Sequence, residues 1–317
     1  MGWPCRVLPH RHAPVCYNGV RRENPALRGP GRCGACRGES GPCCLGRRVY
    51  VRIVRYQQGE RTGWGLVQLG SPAPAAWNTW QTEGMIDVCS GDPWVGLRPT
   101  GETVPVGQVR LLAPCQPSKI VAVGLNYADH AREMGDDLPA VPMLFLKPST
   151  AVIGPEEPIL YPAMSSQVDY EAELAVVIKD RIRCVEPAAV RSHILGYTCL
   201  NDVTARDLQR ADGQWTRAKS FDTFAPIGPC ITDEVDPDHA DVALYLNGRL
   251  RQQSNTHHFI FNVDKLVSFI SQVMTLLPGD VVTTGTPSGV GPMQPGDVVE
   301  VVVEGVGRLR NRVERAG

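Results

Sequence analysis

Long apolar runs are missing from this sequence. No stretch approaches the roughly 18 apolar residues that a membrane-spanning helix needs, and the N-terminus lacks the apolar core of a secretory signal. An excess of either charge is missing too. With a formal net charge of -1, no global field favours nucleic acid or a membrane surface, and neither is expected as a partner. Aromatic residues are few, at 6%. A disulfide scaffold is not indicated either. Cys89, Cys115, Cys184, Cys199 and Cys230 stand singly within ordinary chain. Such spacing suits reduced core residues in a cytoplasmic protein. What is present is ordinary globular composition: 317 residues, 43% hydrophobic and 21% charged, enough for one large domain or two modest ones with a sizeable core. The 32 glycines and 27 prolines fit many short strands joined by tight turns.

Residues 1–48 differ from the rest. They are rich in Arg, Pro, Gly and Cys, hold only Glu23 and Glu39 as acids, and show neither helical nor strand periodicity. Cys33-x-x-Cys36 has half of a zinc pattern, but Cys43-Cys44 lacks the spacing of a second half. An Arg-rich transit peptide is disfavoured by scarce Ser and abundant Cys. The segment reads as a disordered or spurious extension, with Val51 as a candidate true start. Sequencing the N-terminus of the natural protein would reject that start by finding residues upstream of Val51.

Residues 49–115 read as a small N-terminal β region with a linker. "YVRIVRYQ" and "GWGLVQL" form a strand pair, and "VRLLAPCQPSK" a strand ended by proline, with weakly patterned chain between. From 116 to 317 the pattern is denser. "KIVAVGLNY" and "MLFLKPST" are strands, and "YADHAREMG" is a short helix. "EAELAVVIKD" is a strand, then "EPAAVRSHILG" a helix with Pro187 in its first turn and Gly196 past its end. "GYTCLNDVTARDLQR" runs from strand through a turn into a polar helix, and Asn247-Gly248 centres a hairpin. "DKLVSFISQVMTL" is an amphipathic helix, and two "PGD" turns at 278–280 and 295–297 each launch a Val-rich strand. Strands outnumber helices without alternating with them, so the fold class is β-rich α+β, not a doubly wound sheet.

The chemistry begins at "QVDYEAELAVVI", where Glu171 and Glu173 lie two apart in a strand-forming run. Residues i and i+2 share a strand face, so two carboxylates repel each other there unless the face is solvated or a divalent cation sits between them. Asp202 ends "GYTCLND", 29 residues beyond Glu173. That gap fits a strand, a helix and a return strand, and if the two strands are neighbours a third carboxylate can converge. Oxygen ligands without Cys or His suit Mg2+, Ca2+ or Mn2+. His130 and Glu133, at i and i+3, would share one helix face. They form either a surface pair or a general base in which the carboxylate orients the imidazole. Lys147 and Lys219 lie among apolar and small residues. Facing inward, each would need an anion, such as a substrate carboxylate or developing enolate. Arg206 and Gln209 follow Asp202 and support either the carboxylates or the substrate. His257 and His258 are adjacent and read as structural. "TTGTPSGVG" at 283–291 lacks the P-loop and dinucleotide signatures and reads as a substrate-facing loop with N–H groups for a carboxylate.

Together, "VGLNYADHAREM", "FLKPST", "VDYEAELAVVI", "NDVTARDLQ", "WTRAKSFDTFAPIGP" and "LPGDVVTTGTPSGVGP" resemble the fumarylacetoacetate hydrolase family. The likeness runs from about Lys119 to about Val313 and is nearest to the small acylpyruvase and ring-cleavage-pathway members. Residues 50–115 are similar to their short N-terminal region, and residues 1–48 match nothing there. The resemblance implies a mixed β-sandwich roll, a homodimer, and a metal held by Glu171, Glu173 and Asp202. It implies a water-activating His130–Glu133 dyad, Lys219 at the substrate oxyanion with Lys147, Arg206 and Gln209 nearby, and Thr286 at the substrate carboxylate. The implied substrate is a small keto acid. The implied reaction is hydrolysis of an acylpyruvate, such as fumarylpyruvate or acetylpyruvate, to pyruvate and a carboxylic acid. The alternative is isomerisation of a hydroxy-diene-dioate or decarboxylation of oxaloacetate on the same site.

Overall fold

The computed structural model describes residues 51–68, 80–128 and 138–317. The expected extension 1–48 and the expected dyad His130–Glu133 lie outside the described residues. Five strands precede Lys119: β1 (Val51–Gln58), β2 (Arg61–Gln68), β3 (Met85–Ser90), β4 (Arg98–Pro105) and β5 (Arg110–Leu112). Then come β6 (Lys119–Gly124), β7 (Met143–Pro148), β8 (Val152–Ile153), β9 (Ile159–Tyr161), β10 (Val168–Tyr170), β11 (Ala172–Ile178), β12 (Ile194–Asn201) and β13 (Thr204–Ala205). The rest are β14 (Ala225–Thr232), β15 (Asp241–Leu246), β16 (Arg249–Asn255), β17 (Val281–Thr283), β18 (Gly291–Met293), β19 (Val298–Val303) and β20 (Gly307–Arg315).

A large sheet runs β4-β3-β2-β1-β14-β12-β11-β17-β6-β7, with β5 on β1 and β8 on β14. The strands between Val51 and Leu112 are therefore hydrogen-bonded into the same sheet as those after Lys119. Two smaller sheets run β13-β10-β18 and β16-β15-β19-β20-β9. The result is the expected strand-rich, mixed-sheet architecture. All seven residues of β11 are buried. Leu174, Val176 and Ile178 pack with Val242, Leu244, Val299 and Val301 of the five-stranded sheet, while Ala175 and Val177 point to a second cluster with Leu200, Ile227 and Val281. Burial on both faces explains its unbroken apolar run.

The hairpin at Asn247-Gly248 forms with both residues at positive φ, 52° and 72°, as a primed turn requires. The amphipathic helix spans Val263–Val273, capped by Asn262, whose side chain accepts from the Lys265 N–H. Three expectations need correction. The segment 187–193 is a 3-10 turn rather than an α-helix, and Gly196 lies within β12 rather than past a helix end. A Cβ on Gly196 would stand 2.7 Å from Ile231 Cγ2 and from Thr232 O. The glycine therefore serves a close strand crossing, not a helix cap. β3 and β4 fill chain that showed little pattern, because β4 is exposed along most of its length and needs no apolar alternation. Finally, "QVDYEAELAVVI" is not one strand: it breaks at Glu171, where the chain leaves the three-stranded sheet for the large one.

Candidate active site

The break at Glu171 is held on both sides. The Glu171 N–H donates to the Asn201 side-chain oxygen at 2.9 Å, the Asp202 N–H donates to Glu171 O at 2.9 Å, and the Ala172 N–H donates to Gln252 Oε1 at 2.9 Å. β11 pairs antiparallel with β12 so that Ala172 faces Asn201, which sets Glu171 beside Asp202. Oxygens of Glu171, Glu173 and Asp202 all lie within 4.8 Å of one another, and all three side chains are buried. The two glutamates converge although the strand between them is kinked.

Three cations surround this group. The Lys219 ammonium, 2% exposed, donates to Glu171 Oε2 at 2.9 Å and to Asp202 Oδ2 at 2.7 Å. Lys147, fully buried, donates to Asp202 Oδ1 at 2.5 Å and to Val203 O at 3.0 Å. Arg206 donates from Nε to Asp169 Oδ2 at 2.9 Å, from Nη1 to Gln209 Oε1 at 2.5 Å, and from Nη2 to Glu171 Oε1. Burial would raise the Glu171 carboxyl, but Lys219 and Arg206 outweigh it and hold it down at about 2. Burial would lower Lys219, but Asp202 and Glu171 outweigh it and push it up. Lys147 goes the other way: burial prevails over Asp202, helped by repulsion from Lys219, and lowers it.

Glu173 is the carboxylate left over. It accepts the Gly285 N–H at 2.9 Å, but among the described residues it has no ion pair. Burial, then its like-charged neighbours Asp202 and Glu171, push its carboxyl well above the usual range. Four carboxylates, counting Asp169, thus face three cations. A hard divalent cation at the meeting point of the three oxygens would more than offset the uncompensated negative charge, and the all-oxygen donor set suits one. These residues fit such an ion.

Lys147, Arg206 and Gln209, expected beside the substrate, direct their polar atoms at the carboxylates and at each other. Thr286 is buried in the loop after β17, where Gln252 Nε2 donates to its Oγ1 at 2.9 Å and to Pro287 O at 2.8 Å. Gln252 and Asn126 escaped sequence reasoning. Gln252 is the one buried position of β16, whose single apolar residue, Leu250, is exposed, so no apolar alternation marks an inward face. Asn126, fully buried, donates to Thr284 O at 2.8 Å and Phe261 O at 3.0 Å, tying the loop after β17 to the chain just before the segment that carries His130. The polar Asn126 at the end of the apolar run in "KIVAVGLNY" was the available signal.

The family pattern described as fumarylacetoacetate (FAA) hydrolase C-terminal matches residues 119–314, and that described as Rv2993c-like, N-terminal, matches residues 51–114. The chain belongs to the fumarylacetoacetate hydrolase family. Within the family, the crystal structure of a 2-hydroxyhepta-2,4-diene-1,7-dioate isomerase from Mycobacterium marinum is 41% identical, covers 84% of this chain and 99% of its own, and superposes with a TM-score of 0.76. The mitochondrial oxaloacetate tautomerase FAHD2B of Bos taurus is 40% identical over 223 residues, 66% of this chain and 71% of the relative. A fumarylpyruvate hydrolase from Pseudomonas aeruginosa, solved with Mn2+ and pyruvate, is 34% identical over 68% of this chain and 93% of its own, with a TM-score of 0.60. Isomerase, tautomerase and hydrolase thus all stand among the similar family members. Among the described residues no helix is long and apolar enough to cross a membrane.

Proposed function

We propose that the protein is a metal-dependent enzyme that acts on small 2-keto acids through their enolates, and that it cleaves acylpyruvates to pyruvate and a carboxylic acid. The observation that carries this reading is the Lys219 ammonium, fixed between Glu171 and Asp202 at the edge of the three-carboxylate group. Glu171, Glu173 and Asp202 would hold a divalent cation, with Mg2+ as our assignment, which when bound would supply Lewis-acid polarisation of the keto acid. Lys147 balances Asp202 from behind, and Arg206 fixes Glu171 against Asp169, so both carboxylates keep their orientation. Lys219 presents a preorganised positive charge to the oxygen that becomes negative as the enolate forms. His130, oriented by Glu133, accepts a proton from water. The water oxygen bonds to the distal carbonyl carbon, the C–C bond breaks, and its electron pair remains on the pyruvate fragment as the enolate. Protonation of that carbon gives pyruvate. The loop around Thr286 offers N–H and hydroxyl groups to the substrate carboxylate. The reading includes a cytoplasmic homodimer, which light scattering of the purified protein checks.

A second reading has its own support. Every group placed around Lys219 serves enolate formation, which isomerisation, oxaloacetate tautomerisation and decarboxylation also need, and attack by water rests on His130 and Glu133 alone. The test follows the ultraviolet absorbance of acetylpyruvate and fumarylpyruvate with Mg2+ or EDTA, and pyruvate release alongside. Metal-dependent loss of at least one of the two with matching pyruvate, reduced about 100-fold or more by His130→Ala, is expected. No cleavage, with turnover of oxaloacetate or a hydroxy-diene-dioate that survives His130→Ala, would move the assignment to the second reading.

A further inference from the structure

β7 runs outward from the carboxylate group as a track of alternating side chains. Lys147, Phe145 and Met143 share one face of the strand, because residues two apart point the same way. Exposure rises along that face. Lys147 is fully buried against Asp202, Phe145 is half-buried, and Met143 is 41% exposed. The span from Lys147 to Met143 is four residues, about 13 Å at strand rise. β7 is the last strand of the large sheet, and among the described residues no further strand pairs with its outer edge.

The outer part of the track is entirely apolar. The Phe145 ring lies 4.9 Å from the Lys219 ammonium, which places it directly beyond the cation assigned to the enolate. Trp215 meets Phe145 edge-to-face, with centroids 5.2 Å apart and planes at 71°. A Cβ on Gly124 would stand 2.9 Å from Trp215 Cζ3 and 3.5 Å from Met143 Sδ. Gly124, Met143, Phe145 and Trp215 are therefore one contiguous wall, and Gly124 is the residue that gives the indole its space. An anionic tail laid here would be desolvated against rings and a thioether, with no cation among Gly124, Met143, Phe145 and Trp215 to pair with it. A planar apolar tail would gain ring-on-ring contact.

We infer that this wall selects the part of the substrate beyond the keto-acid head, and that it takes an apolar, planar group rather than a second carboxylate. The inference rests on the proposed function only for placing that head at Lys219 and the carboxylates. Phe145 and Trp215 are its specificity-determining residues, and Gly124 positions Trp215.

The test is calorimetric binding to the Mg2+-loaded full chain of two keto acids that lack a cleavable diketone, phenylpyruvate and 2-oxoglutarate. Phenylpyruvate is expected to bind about tenfold or more tightly. Trp215→Leu is expected to cut that ratio by about tenfold, and Gly124→Ala, which keeps the indole but displaces it, to cut it in the same direction. Equal or tighter binding of 2-oxoglutarate to the unaltered protein overturns the inference and leaves the keto-acid reading standing. A ratio that neither substitution moves by more than about twofold also overturns it, the wall then being a spectator. Binding of neither compound overturns the inference and the keto-acid reading together.

Discussion

Two buried carboxylates close opposite ends of the β11–β17 ladder, and their surroundings differ completely. Asp280, just before β17, is fully buried and surrounded by donors. Its Oδ1 accepts from Ser118 Oγ at 2.6 Å, the Ser118 N–H at 3.1 Å and the Lys119 N–H at 3.3 Å. Its Oδ2 accepts from the Leu277 N–H at 2.9 Å and from the Lys119 ammonium. Glu173, at the other end, has the Gly285 N–H and two carboxylates for company. Both are acids inside the same sheet, but only one is neutralised by the chain itself. A carboxylate saturated by its own protein is architecture. One left unbalanced beside two others is a place prepared for something the chain does not encode.

Substitutions can break or sharpen this contrast. The largest effect is expected at Asp280. Asp280→Ala strands Lys119 and four further donors and should lower the unfolding free energy by about 3–5 kcal/mol, read by urea denaturation with or without metal. Glu173→Gln should do the reverse for the metal-free protein. Removing the unbalanced charge should raise unfolding stability in EDTA by about 1 kcal/mol, while turnover on acetylpyruvate falls about 100-fold. The same variant should lose the stabilisation that Mg2+ gives the unaltered protein, about 2.7 kcal/mol at 100 times the dissociation constant, measured as a melting shift. If Glu173→Gln destabilised the metal-free protein as Asp280→Ala does, the two carboxylates would be equivalent and the contrast false. Gln252→Leu should act at intermediate size. It frees the Ala172 N–H and the Thr286 loop without touching a carboxylate, so KM should rise about tenfold with the Mg2+ melting shift preserved. His257→Ala is the smallest. His257 and His258 stack at a centroid distance of 3.9 Å on the exposed surface, so stability should change by less than about 0.5 kcal/mol with the Mg2+ shift intact.

These contrasts also mark how far the sequence could be read. The meeting of Glu171, Glu173 and Asp202 is legible because the signal is local: acids inside apolar strands, at a separation that allows a return strand. The architecture is legible from Asn-Gly and Pro-Gly-Asp turns that bound short strands. Gly196 misleads because a glycine needed for close strand approach looks, in one dimension, like one that ends a helix. For Lys147 and Arg206 a sequence shows that an inward cation needs an anion but not which anion. Their partners, Asp202 and Asp169, lie 55 and 37 residues away in the chain. Gln252 gives no sign at all, since its importance lies in three bonds to residues 80, 34 and 35 positions away.

That last residue has a wider consequence. Gln252 belongs to the five-stranded sheet, Asp169 to the three-stranded sheet, and Glu173 to the large one, and all three converge within the site through Ala172 and Arg206. The site is a keystone. It holds its shape only while every sheet is seated, so the protein has no partly folded form that still works. Heat or denaturant should extinguish activity at the same midpoint at which the whole fold is lost, and a surviving trace of catalysis is in effect a report that all three sheets are in place.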